Sequence, residues 1–161
     1  MLDDPALEAD AARFYDALSA LIRVYQFRDR DRICCHDLSV TQCYALEALA
    51  DRGPLSINEL AARLYLDKST VSRVADALER KGLLQKAADP EDRRAVRLLA
   101  TQAGKTLQVR IRDEIREREK GLLRDFDPEV REAMIALIGR LAKAAADRVD
   151  TTGGTCCCTD C

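Results

Sequence analysis

The chain has 161 residues, 47% of them hydrophobic and 34% charged, with 4% aromatic and no tryptophan. That is the composition of a soluble globular protein, and a core poor in aromatics must be built from Leu, Ile, Val and Ala, which favours helix packing over a sheet sandwich. No stretch is apolar enough to span a bilayer and none reads as a secretory leader, so the expected compartment is the cytoplasm, with no membrane partner. The formal net charge of −2 is only a weak objection to a nucleic-acid partner, because DNA binding needs local positive charge. Arg63, Lys68, Arg73, Arg80, Lys81, Lys86, Arg93, Arg94 and Arg97 gather in the middle of the chain, interspersed with acidic residues.

From about Pro5 to Phe27, the apolar residues Leu7, Ala11, Phe14, Leu18, Leu21, Ile22 and Tyr25 fall at helical spacing. A charged run, Arg28 to Arg32, then leads into Ile33-Cys34-Cys35-His36. Ser39 followed by Gln42 predicts a capping box that opens a second helix, which Gly53-Pro54 ends. Ser56 with Glu59 predicts another capping box and a short helix carrying Leu60, Ala61 and Leu64. Asp67 is the expected N-cap of a helix that buries Val71, Val74, Ala75 and Leu78 and stops at Gly82. Leu83 to Ala88 and Ala95 to Ala100 then read as two short strands joined by a polar turn, Asp89 to Arg94. Two more helices follow. One starts at Thr101 and carries Leu107, Ile111, Ile115 and Leu122; the other starts at Asp127-Pro128 and carries Val130, Met134, Leu137 and Leu141. The tail from Thr151 has two glycines and no periodicity, and is expected to be flexible.

Two helices across a tight turn followed by a hairpin make a winged helix-turn-helix pattern. The helix that hides Val71 and Leu78 offers Lys68, Ser69, Thr70, Ser72 and Arg73 near its start, where side chains reach base edges and phosphates. The hairpin tip offers Arg93 and Arg94, long cations suited to a minor groove or to the backbone. The expected class is mainly α (α+β), with a winged helix-turn-helix core over residues 38–100. An N-terminal helix and junction occupy 1–37, C-terminal helices 101–150, and a Cys-rich tail 151–161. No nucleophile–base pair or paired carboxylates share an element, so no enzyme is expected.

Leu60-Ala61-Ala62-Arg63-Leu64, Asp67-Lys68-Ser69-Thr70-Val71-Ser72-Arg73, Leu78-Glu79-Arg80-Lys81-Gly82-Leu83, and Asp89-Pro90-Glu91-Asp92-Arg93-Arg94 through Leu98 to Thr101 resemble the MarR family over roughly residues 38 to 107. The resemblance implies that Asp92 braces the wing, Arg94 enters the minor groove, and Ser69, Thr70 and Arg73 face the major groove. It also implies that the flanking helices form a two-fold homodimer. Their apolar stripes, too long for the small core to cover, agree. A symmetric dimer calls for a palindromic double-stranded operator with half-sites about one helical turn apart.

Seven cysteines lie in two groups, Cys34, Cys35 and Cys43, then Cys156, Cys157, Cys158 and Cys161. A secreted disulfide scaffold would spread them to close loops; clustered in a reducing compartment they point to metal, metalloid or redox chemistry. Adjacent Cys34 and Cys35 close a disulfide poorly, but their thiolates can face one soft ion, with Cys43 as a third sulfur. Three sulfurs suit trivalent arsenic or antimony, or a soft ion of the mercury type, and the tail cysteines can add ligands across the Gly153-Gly154 hinge. The spacing is not that of a structural zinc site, and His36 is the one histidine. The two groups together could instead hold an iron–sulfur cluster, or Cys43 could sense peroxide or electrophiles. In MarR-like proteins effectors commonly sit between the dimer helices and the winged domain, which the resemblance places around Ile33 to Cys43. The expected function is a repressor released by a thiophilic ligand. The rivals are a small-molecule-responsive regulator with incidental cysteines and a thiol-rich metal-binding protein without DNA-linked switching. Cys43 as a small buried apolar residue, the tail as an inert extension and His36 as a junction residue are the plain readings beside these.

Overall fold

The computed structural model describes residues 4–33, 36–89 and 95–151, with side chains described for 4–27, 36–89 and 95–149. The helix α1 (Pro5–Ile33) begins where Asp4 accepts a hydrogen bond from the Ala6 N–H at 3.0 Å, with Pro5 at the first helical position. It runs six residues beyond the expected end at Phe27. The charged run Arg28 to Arg32 holds neither Gly nor Pro and is rich in Arg, a good helix former, so loss of the apolar stripe does not end the helix.

Both predicted capping boxes form. Ser39 Oγ accepts from the Gln42 N–H and Gln42 Oε1 from the Ser39 N–H, both at 3.2 Å, opening α2 (Val40–Arg52). Ser56 and Glu59 do the same for α3 (Ile57–Leu64), at 3.2 and 2.7 Å. Gly53, at φ +83°, terminates α2, a conformation an L side chain adopts at a cost. The helix α4 (Lys68–Arg80) ends at Gly82, φ +70°, where the Gly82 N–H donates to the Glu79 carbonyl and the Leu83 N–H to the Leu78 carbonyl. This is a Schellman closure, and the glycine makes it possible.

Three strands form one antiparallel sheet, in the order β1-β3-β2: β1 (Leu55–Ser56), β2 (Leu84–Ala88) and β3 (Val96–Ala100). The hairpin strands begin one residue later than expected, and β1 is an addition, paired through Leu55 with Leu98. In the ladder Leu84 lies opposite Ala100 and Ala88 opposite Val96, and the Asp89 N–H donates to the Ala95 carbonyl just beyond it. Leu46, Leu49, Leu60, Val71, Leu78 and Leu98 are the fully buried centre, supplied by α2, α3, α4 and the sheet. That core holds α4 by one face and leaves the other outward.

The chain divides into two compact units after Gln108, within α5 (Gln102–Leu123). The first carries the winged core. In the second, α6 (Pro128–Thr151) leaves Ile135 and Leu137 62% exposed and Ile138 nearly as much. In the first, α1 likewise exposes Leu7, Phe14, Tyr15, Val24 and Phe27.

Candidate nucleic-acid interface

The predicted recognition residues all fall in the first six positions of α4. Val71, Ala75 and Leu78 are buried and Val74 is half-buried, so the helix is anchored along one stripe. Lys68, Ser69 and Arg73 are exposed, and Thr70 and Ser72 half-exposed, on the other side. Asp67, at the predicted N-cap, accepts from the Thr70 N–H at 2.8 Å. Its carboxylate also accepts hydrogen bonds from the hydroxyls of Ser69 at 2.5 Å and Thr70 at 2.7 Å. The Ser69 hydroxyl, then that of Thr70 and the Thr70 N–H, hold the Asp67 carboxyl far below the usual carboxylate range. Thr70 Oγ1 in turn accepts from Arg73 Nη2 at 3.2 Å.

The wing-tip residues Asp92, Arg93 and Arg94 lie outside the described residues. The base of the wing is on view, and it contains a brace that local spacing does not reveal. Asp89 is 7% exposed and accepts from Arg97 Nε at 2.5 Å. Arg97 Nη1 donates to Glu59 Oε2 at 2.8 Å, the same carboxylate oxygen that caps α3. One guanidinium therefore ties β2 and β3 to the start of the helix-turn-helix. The Ser56 N–H, more than Arg97, holds the Glu59 carboxyl below its ordinary value.

Two lysines counted as basic in the sequence are also structural. Lys86 on β2 donates to Asp76 at 2.5 Å and contacts Glu79 at 2.8 Å, both on α4. The hydrogen bond to Asp76 is the main cause of its raised pKa, and the same bond lowers that of Asp76. Lys81, just past α4, donates to the Asp37 carbonyl, pairs with the Asp37 carboxylate at 3.2 Å and reaches Gln42 Oε1 at 3.4 Å. The Lys81 partners are about 40 residues away in sequence and the Lys86 partner Asp76 is 10 residues away on another element, so neither periodicity nor charge counting could find them.

Of the predicted thiol ligands, Cys34, Cys35, Cys156, Cys157, Cys158 and Cys161 lie outside the described residues. Cys43 is in the first turn of α2 and only 5% exposed. Among the described residues no three His, Cys, Asp or Glu side chains gather in a way that could hold a metal ion. His36 is half-buried at the junction before α2.

Residues 36–95 match the profile of the MarR family. The chain is 32% identical over 130 residues to the uncharacterized HTH-type transcriptional regulator YxaD of Bacillus subtilis (strain 168), covering 81% of this chain and 91% of that protein. The fold is similar to a MarR family protein from Bacillus stearothermophilus, with a TM-score of 0.79, 22% identity and coverage of 86% of this chain and 96% of that one. It is similar also to the crystal structure of MarR, with a TM-score of 0.73, 26% identity and coverage of 85% and 93%. With an exposed polar helix start, a braced wing and these relatives, the chain belongs to the MarR family of winged-helix, DNA-binding transcriptional regulators, and it is not an enzyme.

Proposed function

We propose that the protein is a homodimeric repressor of a palindromic double-stranded DNA operator, acting in the cytoplasm and released when a thiophilic ligand binds its cysteines. The observation that carries the DNA part is the start of α4: Lys68, Ser69 and Arg73 stand exposed on a helix locked from behind by Val71, Ala75 and Leu78. A dimer is supported by the exposed apolar residues of α1 and α6, surface that a single soluble chain rarely leaves open to water. Ser69, Thr70, Ser72 and Arg73 face the major groove in this reading, with Lys68 on the backbone and Asp92, Arg93 and Arg94 at the minor groove.

The release step rests on where Cys43 lies. A trivalent arsenic or antimony species, or a soft ion of the mercury type, held by Cys34, Cys35 and Cys43 must draw the Cys43 thiol out of the core. Ligand capture and repacking of α2 are then a single event, which gives the ligand different affinities for two states of the winged domain, as any effector needs. Cys156, Cys157, Cys158 and Cys161 add further sulfurs. An iron–sulfur cluster and thiol oxidation are the alternative chemistries for the same residues.

The test is a fluorescence titration of duplexes that the protein itself enriches from a randomised pool, repeated with arsenite. Salt-sensitive binding to an inverted repeat, lost on adding arsenite and retained by the Cys34→Ser, Cys35→Ser, Cys43→Ser triple variant, is expected. No enrichment over random DNA removes the operator reading. Equal arsenite response in the triple variant removes the thiol reading, and arsenite binding without change in DNA affinity favours the metal-binding alternative.

A further inference from the structure

The hydroxyl groups at the start of α4 are committed before any DNA arrives. A serine or threonine hydroxyl has one proton to donate and two lone pairs that accept. Ser69 Oγ donates a hydrogen bond to Asp67 Oδ1 at 2.5 Å, and Thr70 Oγ1 donates one to Asp67 Oδ2 at 2.7 Å. Hydrogen bonds to an ionised carboxylate are roughly twice as strong as neutral ones, and Asp67 remains ionised across the neutral range. The oxygen of Thr70 has a second engagement, since Arg73 Nη2 donates to it. Ser69 is exposed, and the donor it would otherwise turn outward points into its own helix cap.

The consequence is one of polarity. Serine and threonine are ordinarily ambiguous readers, able to donate to a base acceptor or a phosphate and to accept from a base amino group. We propose that Asp67 removes this ambiguity: Ser69 Oγ meets DNA as an acceptor only, and selects a base presenting an amino group in the major groove, adenine N6 or cytosine N4, against guanine O6 or thymine O4. Asp67 is thus a positioning residue for specificity and Ser69 the reader. The same arrangement excludes Ser69 as a phosphate anchor, because a lone pair backed by a carboxylate repels a phosphate oxygen. Through Thr70 the network also sets the guanidinium of Arg73, whose remaining N–H groups are left to acceptors such as guanine O6 and N7. The inference rests on the proposal that the start of α4 enters the major groove.

The experiment begins with duplexes enriched from a randomised pool by the full-length protein and, separately, by Ser69→Ala and Asp67→Asn. Comparing wild type with Ser69→Ala locates the base that Ser69 reads. Wild type should prefer adenine or cytosine there. Asp67→Asn, whose amide can donate where the carboxylate only accepted, releases a hydroxyl proton outward and should admit guanine or thymine. The selected duplex is then remade with purine in place of that adenine, or pyrimidin-2-one in place of that cytosine, deleting only the amino group. Wild-type affinity should fall about three- to ten-fold, the value of one net hydrogen bond, while Ser69→Ala should bind both duplexes alike. The proposal is overturned if the wild type ignores the missing amino group, if the position that Ser69 controls is guanine or thymine, or if Ser69→Ala leaves the profile unchanged. Should Asp67→Asn fail to fold, the comparison of Ser69→Ala on the two duplexes decides alone. Failure of the wild type to enrich any duplex overturns the operator reading instead, so the two failures are distinct.

Discussion

Gly104 lies in the first turn of α5 (Gln102–Leu123), against the backbone where β2 begins, and it offers a sharp test of the packing in the winged unit. A Cβ built on Gly104 would sit 2.2 Å from the Leu83 carbonyl oxygen, 3.1 Å from its carbon and 3.0 Å from Leu46 Cδ1. Relieving that contact means moving the two backbones apart by about an ångström to reach an ordinary separation. The Leu83 carbonyl cannot move alone, because it accepts from the Thr101 N–H at 3.0 Å, while Thr101 Oγ1 donates to the Gly82 carbonyl at 2.7 Å and accepts from the Gly104 N–H at 3.1 Å. Gly104→Ala therefore gains up to about 1 kcal/mol of helix propensity. It loses about 1–3 kcal/mol to overpacking and about 1 kcal/mol as the Thr101–Leu83 bond stretches. The net expectation is a loss of about 1–3 kcal/mol.

Gly121, in the same helix, has nothing within 4 Å of its would-be Cβ. Gly121→Ala should therefore stabilise, by about 0.5–1 kcal/mol. Urea unfolding followed by circular dichroism at one fixed protein concentration reads both, the concentration being held because any self-association makes apparent stability depend on it. The midpoints of the two variants should move in opposite directions with similar slopes. A Gly104→Ala midpoint that rises with that of Gly121→Ala would refute the close approach of α5 to Leu83.

Arg97→Ala leaves the carboxylate of Asp89, 7% exposed, without the guanidinium that meets it at 2.5 Å, and removes the link to Glu59. A loss of about 1–3 kcal/mol is expected, discounted from the value for a fully buried pair because Arg97 is one-third exposed; an unchanged urea midpoint would contradict it. On the acid side, Glu59, Asp67 and Asp76 all have lowered pKa values, caused chiefly by the Ser56 N–H, the Ser69 hydroxyl and the Lys86 ammonium. The unfolded chain takes up these protons first, so their contribution is present above about pH 4 and is lost as pH falls through the lower folded values. The raised Lys86 works in the other direction, contributing below its ordinary 10.5 and losing that contribution as pH rises beyond it. The urea midpoint should fall as pH drops below about 4, less steeply in Asp76→Asn, and a flat profile to pH 2.5 would contradict the assignment.

What the sequence disclosed and what it hid follow from the range of each interaction. Ser39 with Gln42, Ser56 with Glu59, and Asp67 with Thr70 are three residues apart, so their caps could be read directly and α2, α3 and α4 began where expected. The outward placement of Lys68, Ser69 and Arg73 was legible for the same reason, since helical spacing alone separates them from Val71, Ala75 and Leu78. The strand β1 escaped because two residues carry no periodicity; only Leu98, in β3, defines Leu55 as paired. The end of α1 escaped because a charged run without Gly or Pro gives no stop signal. Arg97 escaped because its partners Asp89 and Glu59 are 8 and 38 residues away. The polarity of Ser69 lay between these cases. Asp67 could be named as a cap, but whether a hydroxyl donates or accepts depends on its partner's position rather than its spacing.

The low net charge takes on meaning once the cations are sorted by what they touch. Lys81 joins the end of α4 to the junction before α2, Lys86 joins β2 to α4, and Arg97 joins the wing base to α3. The two lysines are partly exposed and contribute little stability alone, whereas Arg97 contributes more through the buried Asp89. Together they fix the helix-turn-helix and the wing base against one another from three sides. Side chains at the start of α4 are then presented by a frame that need not be ordered on binding, and the ordering cost that reduces affinity at flexible surfaces is smaller here. The Asp67–Ser69–Thr70–Arg73 network extends the same logic to single atoms, since the hydroxyl protons and the guanidinium already have their directions. In the proposed reading, specificity comes from donors and acceptors whose directions are set in advance, while cations supply affinity for the phosphate backbone. A net charge of −2 is compatible with DNA binding because that binding needs local positive charge, and Asp37, Glu59, Asp76, Glu79 and Asp89 are the acidic partners that hold Lys81, Lys86 and Arg97 in the frame.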